Sequence, residues 1–124
     1  MSEQLLRRTF DVLSAADVDA LGDLYTDDYV LELPYRKPEP TRVEGLTNAQ
    51  AYLRAAFERV RFSLTITEVH ALADDDGVVA EYTSEGTNLQ TGGPFGNRYI
   101  GLWLFRGGRV RLTREYYDPM VAAT

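Results

Sequence analysis

The chain has 124 residues, of which 44% are hydrophobic and 26% charged, with a formal net charge of -6 and no cysteine. This length predicts a single domain over residues 1–124, large enough to form a core without disulfides. The acidic balance argues against nucleic-acid binding, which needs clustered Lys and Arg, and no apolar stretch is long enough to span a membrane. The polar N-terminus has no signal-peptide pattern, so we expect a cytoplasmic protein.

Three helices are predicted in the first half of the chain. Apolar residues recur at helical spacing from residue 3 to 14. Asp17 is a capping residue for a second helix, whose apolar stripe extends to Tyr25. Thr47 and Gln50 have the spacing of a capping box, and the apolar face that follows them predicts the third helix.

The remaining segments have the pattern of strands, two short ones before the third helix and four long ones after it: 29–33, 41–44, 61–73, 78–89, 95–106 and 109–118. The long strands are separated by the turn sequences 73–77, 91–94 and Gly107-Gly108, which predicts a four-stranded antiparallel meander. Gly86 and Gly101 are the positions at which we expect bends or bulges.

A flat sheet of such strands would extend beyond a domain of this size. Twelve residues span about 40 Å in a strand, so the sheet has to twist and bend. Helices that pack in the curve of such a sheet leave a hollow at one end. The sequence therefore predicts an α+β fold, a cone-shaped domain with three N-terminal helices packed on a strongly curved antiparallel sheet around a central pocket.

The element order and several short motifs resemble one known superfamily. The motifs are Glu44-Gly45, Glu85-Gly86, the run from Asn97-Arg98-Tyr99 through Phe105-Arg106-Gly107-Gly108, and the more specific Arg114-Glu115-Tyr116-Tyr117-Asp118-Pro119-Met120. The chain resembles the nuclear transport factor 2-like superfamily. Within it, the chain looks most like the SnoaL-like branch of polyketide cyclases, ketosteroid isomerase-like enzymes and phenazine-biosynthesis A/B proteins.

This resemblance implies a pocket acid at Glu115, because the closing-strand motif of the phenazine proteins carries a glutamate there. Those proteins also place a histidine early in the first long strand. The corresponding position here is near Thr65, and the single histidine is His70. The Arg-x-Asp pair of limonene epoxide hydrolase-like relatives does not occur in this sequence.

The residues themselves also favour chemistry at Glu115. A carboxylate among apolar side chains becomes an acid or base that works near neutral pH, and Glu115 ends an apolar strand among aromatic residues. The alternative is an edge carboxylate paired with Arg111 or Arg114. His70 is a candidate proton shuttle, with a purely structural histidine as the alternative.

Aromatic residues are the candidate substrate-binding groups. The chain has 8 tyrosines, and a core built for packing alone would favour side chains without a hydroxyl that needs a partner. Trp103 and Tyr99 share a strand face with Gly101, whose missing side chain leaves room for a ligand ring. The candidates for substrate binding are Tyr35, Tyr52, Phe62, Tyr82, Tyr99, Trp103 and Tyr117.

These features favour a cofactor-free enzyme that acts on a small, apolar, oxygenated molecule in natural-product metabolism, by isomerase-, cyclase- or dehydratase-type acid–base chemistry. No metal site is expected, because zinc sites need several His or Cys residues. A non-catalytic ligand-binding or assembly module is the alternative, and epoxide hydrolysis is a weaker one. The sheet has apolar residues on both faces, so we expect a homodimer through the face that the helices leave uncovered.

Overall fold

A curved six-stranded sheet is the frame of the described structure. The computed structural model describes residues 2–74 and 76–122, so Asp75 of the predicted turn and both ends of the predicted domain lie outside the described residues. The elements in chain order are α1 (Ser2–Ser14), a 3-10 helix (Val18–Asp23), β1 (Tyr25–Leu33), β2 (Thr41–Glu44), α2 (Leu46–Arg59), β3 (Val60–Ala71), β4 (Gly77–Asn88), β5 (Pro94–Arg106), β6 (Arg109–Tyr117) and α3 (Pro119–Ala122).

The strand order in the sheet is β2-β1-β6-β5-β4-β3. The four long strands form the predicted antiparallel meander. Strand β1 pairs with β6 in parallel and β2 pairs with β1 in antiparallel orientation, so the two earlier strands extend the same sheet. Gly107 and Gly108 form the two-residue turn with positive φ angles of 59° and 76°, a conformation that disfavours other residues.

The second predicted helix is shorter than its apolar stripe suggested. Asp17 does cap it, accepting a hydrogen bond from the backbone N–H of Ala20, but the segment is a 3-10 helix that ends at Asp23. Tyr25 begins β1 instead, because the Leu24 carbonyl already accepts from the backbone N–H of Val110 in the closing strand. A long-range strand pairing thus overrides the local helical pattern.

The capping box predicted for the third helix is wrong. The N-cap of α2 is Gly45, two residues before Thr47, with a φ of 92° and no side-chain cap, and the helix begins at Leu46. The Gln50 side chain donates to the Val18 carbonyl 3.2 Å away and so ties α2 to the 3-10 helix. Asn48 donates to the Glu44 carbonyl at 2.9 Å.

An extra residue in β3 decides which of its side chains face the helices. Ile66 pairs with Tyr82 and Glu68 pairs with Glu81, so Thr67 is a bulge. A strand alternates its side chains between two faces, and one extra residue exchanges the faces for everything beyond it. Side chains before and after Thr67 therefore follow opposite alternations.

A second irregularity lies where β5 pairs with β6. The register shifts between Leu104 and Phe105 and brings Val110 to the buried, concave side together with Thr113. Gly86 and Gly101, the predicted bulge positions, stay in regular register. Gly86 instead permits close approach of β3, since a Cβ there would overlap the Arg61 carbonyl oxygen.

The helices pack into the concave face of the sheet. Helix α1 buries one apolar face, and its Phe10 ring lies 4.7 Å from the Tyr82 ring and 5.3 Å from Trp103 in edge-to-face contacts. Helix α2 buries Ala49 and Phe57. Among the described helices, none has the length and hydropathy required to cross a membrane.

Candidate active site

A cavity of about 280 Å³ lies between the concave face of the sheet and helix α2. This volume is close to the lower end of the range of small-molecule sites. Its wall is mostly apolar and aromatic and is formed by Leu13, Tyr25, Tyr29, Leu31, Leu33, Arg36, Tyr52, Leu53, Ala56, Phe57, Arg59, Val60, Phe62, Leu64, Phe95, Asn97, Tyr99, Trp103, Thr113, Glu115 and Tyr117.

Glu115 is the carboxylate of this wall. Part of its surface faces the hollow, so it keeps some accessible area, yet protein atoms enclose it deeply. Burial raises the pKa of Glu115 to about 7, although a hydrogen bond from the Tyr82 hydroxyl acts in the opposite direction. Near neutral pH the carboxyl therefore exists in both protonation states, as a general acid or base requires.

A short chain of hydrogen bonds holds the Glu115 carboxyl. The Trp103 indole N–H donates to the Tyr82 hydroxyl oxygen at 3.3 Å, and the Tyr82 hydroxyl donates to Oε2 of Glu115. Tyr82 itself is 1% exposed and its ring packs between Phe10 and Tyr99. Fully packed partners of this kind fix the direction of a catalytic side chain.

Gly101 makes this chain possible. It pairs directly with Glu115 across β5 and β6. A Cβ at this position would lie 2.6 Å from the Tyr82 hydroxyl oxygen and 2.8 Å from the Trp103 indole nitrogen. The space left by the missing side chain is thus occupied by protein groups that converge on the carboxyl, and the expectation of a ligand ring there is corrected.

Further tyrosines form polar points in the apolar wall. The rings of Tyr25 and Tyr29 stack at 4.2 Å, and the Tyr29 hydroxyl donates to Oγ1 of Thr113 at 2.8 Å. The hydroxyls of Tyr99 and Ser84 share a hydrogen bond of 2.7 Å. Burial raises the pKa of Tyr25, Tyr29 and Tyr99, so these hydroxyls stay neutral and can donate hydrogen bonds.

Two guanidinium groups also line the cavity. Arg36 lies in the segment after β1 and its guanidinium is 5.7 Å from the centroid of the Tyr52 ring. Arg59 is in the last turn of α2 and donates to the Ala55 carbonyl at 3.2 Å. Since Arg59 is exposed and Arg36 half-buried, these side chains mark the mouth of the cavity.

Six of the residues predicted from sequence lie together on the cavity wall: Tyr52, Phe62, Tyr99, Trp103, Glu115 and Tyr117. Tyr82 lies behind the wall, where it holds Glu115. Within the described residues Glu115 forms no ion pair with Arg111 or Arg114, and Arg114 points to the other face of the sheet, where it donates to Oε1 of Glu32 at 2.6 Å.

The structure separates His70 from the cavity, which corrects its candidate role. The bulge at Thr67 turns the later residues of β3, so His70 is exposed, and its Nε2 lies 3.1 Å from Oε2 of Glu68, which is exposed as well. Tyr35 is corrected too. Its side chain is 54% exposed and its ring contacts Tyr116 edge to face, away from the cavity wall.

Sequence reasoning missed several wall residues. The apolar stripe predicts a helix that includes Tyr25, and Tyr29 is not among the predicted substrate-binding residues. Their signal was the Thr-Asp-Asp interruption between them, which permits an irregular strand with both rings on one side. Arg36 and Arg59 carried no periodic signal, because one lies in a loop and the other at the end of a helix.

The comparisons with known proteins agree with this fold. A model of the SnoaL-like domain family matches residues 6–113, so Glu115 lies just beyond the matched segment. The uncharacterized protein YesE of Bacillus subtilis is 30% identical over 121 residues, 95% of this chain and 82% of that protein. An uncharacterized PhzA/B-like protein of Pseudomonas aeruginosa is 28% identical over 120 residues, 96% of this chain and 85% of that protein.

Solved structures show the same architecture. A candidate isomerase from Bacillus subtilis has a TM-score of 0.88 at 28% identity, over 97% of this chain and 88% of that one. A candidate SnoaL-like polyketide cyclase from Jannaschia sp. CCS1 has a TM-score of 0.82 at 20% identity, over 99% and 89% of the two chains. The helices lie in the curve of the sheet, and the family model matches most of the sequence. This chain therefore belongs to the SnoaL-like domain family.

Proposed function

We propose that this protein is a cofactor-free enzyme that moves a proton beside a carbonyl group of a small, mostly apolar molecule. The observation that carries the proposal is Glu115, a carboxyl with a pKa of about 7 in an apolar cavity, held by the Tyr82 hydroxyl. Isomerisation, aldol-type cyclisation and dehydration all begin with such a proton transfer. The names isomerase and polyketide cyclase among the structural neighbours are in keeping with this class of reaction.

In the proposed reaction, ionised Glu115 removes a proton from the carbon next to the carbonyl, and the electron pair of that C–H bond forms an enolate. Protonated Glu115 then returns the proton to another carbon, or the enolate attacks a second carbonyl, which forms a C–C bond, and the oxygen of that carbonyl takes the proton from Glu115 as the ring closes. Tyr117, two residues along β6 and also on the cavity wall, is the candidate hydroxyl donor to the enolate oxygen. Tyr82 is a positioning residue, since its hydroxyl is already bonded to Glu115.

The test is deuterium exchange at the carbon next to the carbonyl of simple cyclic enones in D2O, followed by proton NMR. Glu115→Gln should reduce the enzyme-dependent rate at least about a hundredfold, the lower end of what general acid–base catalysis contributes. The exposed Glu85→Gln variant, which removes a carboxylate from the other side of the same sheet, should keep the rate. Exchange in Glu115→Gln at the rate of the unmodified protein would remove Glu115 from the mechanism.

Ligand binding without chemistry is the second candidate function. Among the described wall residues Glu115 is the sole carboxylate, and the wall contains no histidine or lysine that could move a second proton. A protein that binds the enones but does not accelerate exchange would support this reading. Epoxide hydrolysis is less well supported, since the described wall lacks a second carboxylate to activate water.

We also propose a homodimer through the convex face of the sheet. The helices leave this face uncovered, and it carries Ile100, which is 45% exposed, with Leu102, Leu104 and Leu112 half-buried near it. Apolar area of this kind is removed from water most simply by a second copy of the same surface.

A further inference from the structure

We propose that the substrate carries a carboxylate, and that Arg36 and Arg59 at the mouth of the cavity bind it. The inference rests on the proposed function, to which it adds a substrate class: an apolar body with one acidic group. The apolar part of the substrate would contact the apolar wall near Glu115, while its carboxylate would bind between the two guanidinium groups. The chain as a whole is acidic, so a local pair of positive charges at a cavity is a departure from its general character.

The charges of the cavity wall support this assignment. Its charged side chains are Glu115, Arg36 and Arg59. Of the ten arginines outside the wall, five have no ion pair among the described residues and the other five are in ion pairs with carboxylates, namely Arg7, Arg42, Arg54, Arg106 and Arg114. Within residues 2–74 and 76–122, neither guanidinium of the wall has a carboxylate partner. An anionic ligand would supply the missing counter-charge for both.

Both guanidinium groups lie near the same hydroxyl. Arg36 lies over the Tyr52 ring, and Arg59 follows Tyr52 by about two turns of α2. Burial raises the pKa of Tyr52, and the positive charges of Arg36 and Arg59 both act against that rise. Arg36 also acts on Tyr117 in this way, against the effect of burial. Arg59 uses one Nη1–H on the Ala55 carbonyl, and a guanidinium has five such donors, so it retains several for a ligand.

A carboxylate fits this position better than a phosphate. Arg59 belongs to the last turn of α2, and the carbonyl end of a helix carries partial negative charge, which disfavours a dianion. At Arg59 the helix presents its carbonyl end, and the backbone N–H groups that bind phosphates belong to the opposite end of a helix. The planar fork of Arg matches the two oxygens of a carboxylate.

The test compares the binding of 4-phenylbutanoate with that of 4-phenylbutanamide by isothermal titration calorimetry. The two probes share an apolar body and differ in charge. At about pH 6 most of Glu115 is protonated, so it repels the anion little. The protein should bind the acid about tenfold more tightly than the amide, and the Arg36→Gln/Arg59→Gln double variant should bind both within about twofold. Arg61→Gln, which removes an exposed charge outside the wall, should keep the preference.

The same preference is expected in Glu115→Gln, because charge recognition at the mouth does not need proton transfer. Loss of exchange activity without loss of this preference therefore separates the inference from the proposed reaction. Equal affinity of the unmodified protein for the acid and the amide would overturn the inference. It would also be overturned if Arg61→Gln lost the preference for the acid to the same extent as the double variant. No binding of the acid at millimolar concentration would overturn it as well, and the two arginines would then be solvated groups of the rim.

Discussion

Replacing Glu115 by glutamine should make the protein more stable, and only above a certain pH. Glutamine has nearly the same shape and its oxygen can still accept from the Tyr82 hydroxyl, but it has no charge to bury. Burial raises the pKa of Glu115 from its ordinary value of 4.5 to about 7. The folded state therefore holds the proton more tightly than the unfolded chain, and ionisation of Glu115 destabilises it.

The pH window and the size of the effect follow from these two values. Below about pH 4.5 both states are protonated and the penalty is absent. It grows between about pH 4.5 and 7 and is complete above that range. The two pKa values differ by about 2.5, and each pKa unit corresponds to about 1.36 kcal/mol. The ionised carboxyl therefore lowers the free energy of unfolding by about 3 kcal/mol, or roughly 10 °C in Tm for a chain of this length.

The assay is thermal and urea unfolding followed by circular dichroism at one protein concentration and a series of pH values. The stability gained by Glu115→Gln, measured against the unmodified protein, should increase by about 3 kcal/mol from pH 4.5 to pH 8. The Glu85→Gln variant removes an exposed carboxylate from the other face of the sheet and is the matched control, in which the gain of Glu115→Gln should be absent. A constant difference for Glu115→Gln, or one that shrinks with rising pH, would refute the reasoning.

Three further results are expected. Tyr82→Phe removes the hydrogen bond that lowers the pKa of Glu115, so the carboxyl should titrate above pH 7 by carbon-13 NMR, and an unchanged midpoint would contradict this. Gly101→Ala should reduce the free energy of unfolding by about 1–3 kcal/mol in urea, because the new Cβ overlaps the Tyr82 hydroxyl, whereas Gly93→Ala should not, since a Cβ there makes an ordinary 3.4 Å contact with the Thr91 hydroxyl. Ile100→Glu should convert a dimer into a monomer in sedimentation velocity while Ile100→Val should not, and a monomeric unmodified protein at micromolar concentration would exclude the dimer.

The sequence was sufficient for the meander and for the position of Glu115. Alternation and turn glycines are local signals, and they located the four long strands within a few residues. The closing-strand motif pointed to the carboxyl that the structure places in the cavity wall. Its partner Tyr82 was selected as well, although for a different role, because its register opposite Tyr99 and its burial under Phe10 depend on the assembled sheet.

The failures have one physical origin, which is that a chain segment does not reveal its long-range pairing. Strict alternation gives His70 the same strand face as Phe62 and Ile66, and the bulge at Thr67 reverses this. Tyr25 satisfied a helical stripe, yet pairing of the closing strand drew it into β1. Tyr35 and Arg36 lie side by side in a loop, and only the folded backbone decides that the arginine faces the cavity and the tyrosine faces away.

The indole N–H that donates to Tyr82 belongs to the sole tryptophan of the chain. Its ring is 2% exposed and is one hydroxyl away from the carboxyl. Indole fluorescence responds to the electric field around the ring, and a full charge appears at Glu115 as its proton leaves. Trp103 is therefore an intrinsic fluorescent reporter of this site. Its emission should change in a single titration near neutral pH, and it should report the protonation state of Glu115 before any substrate is known.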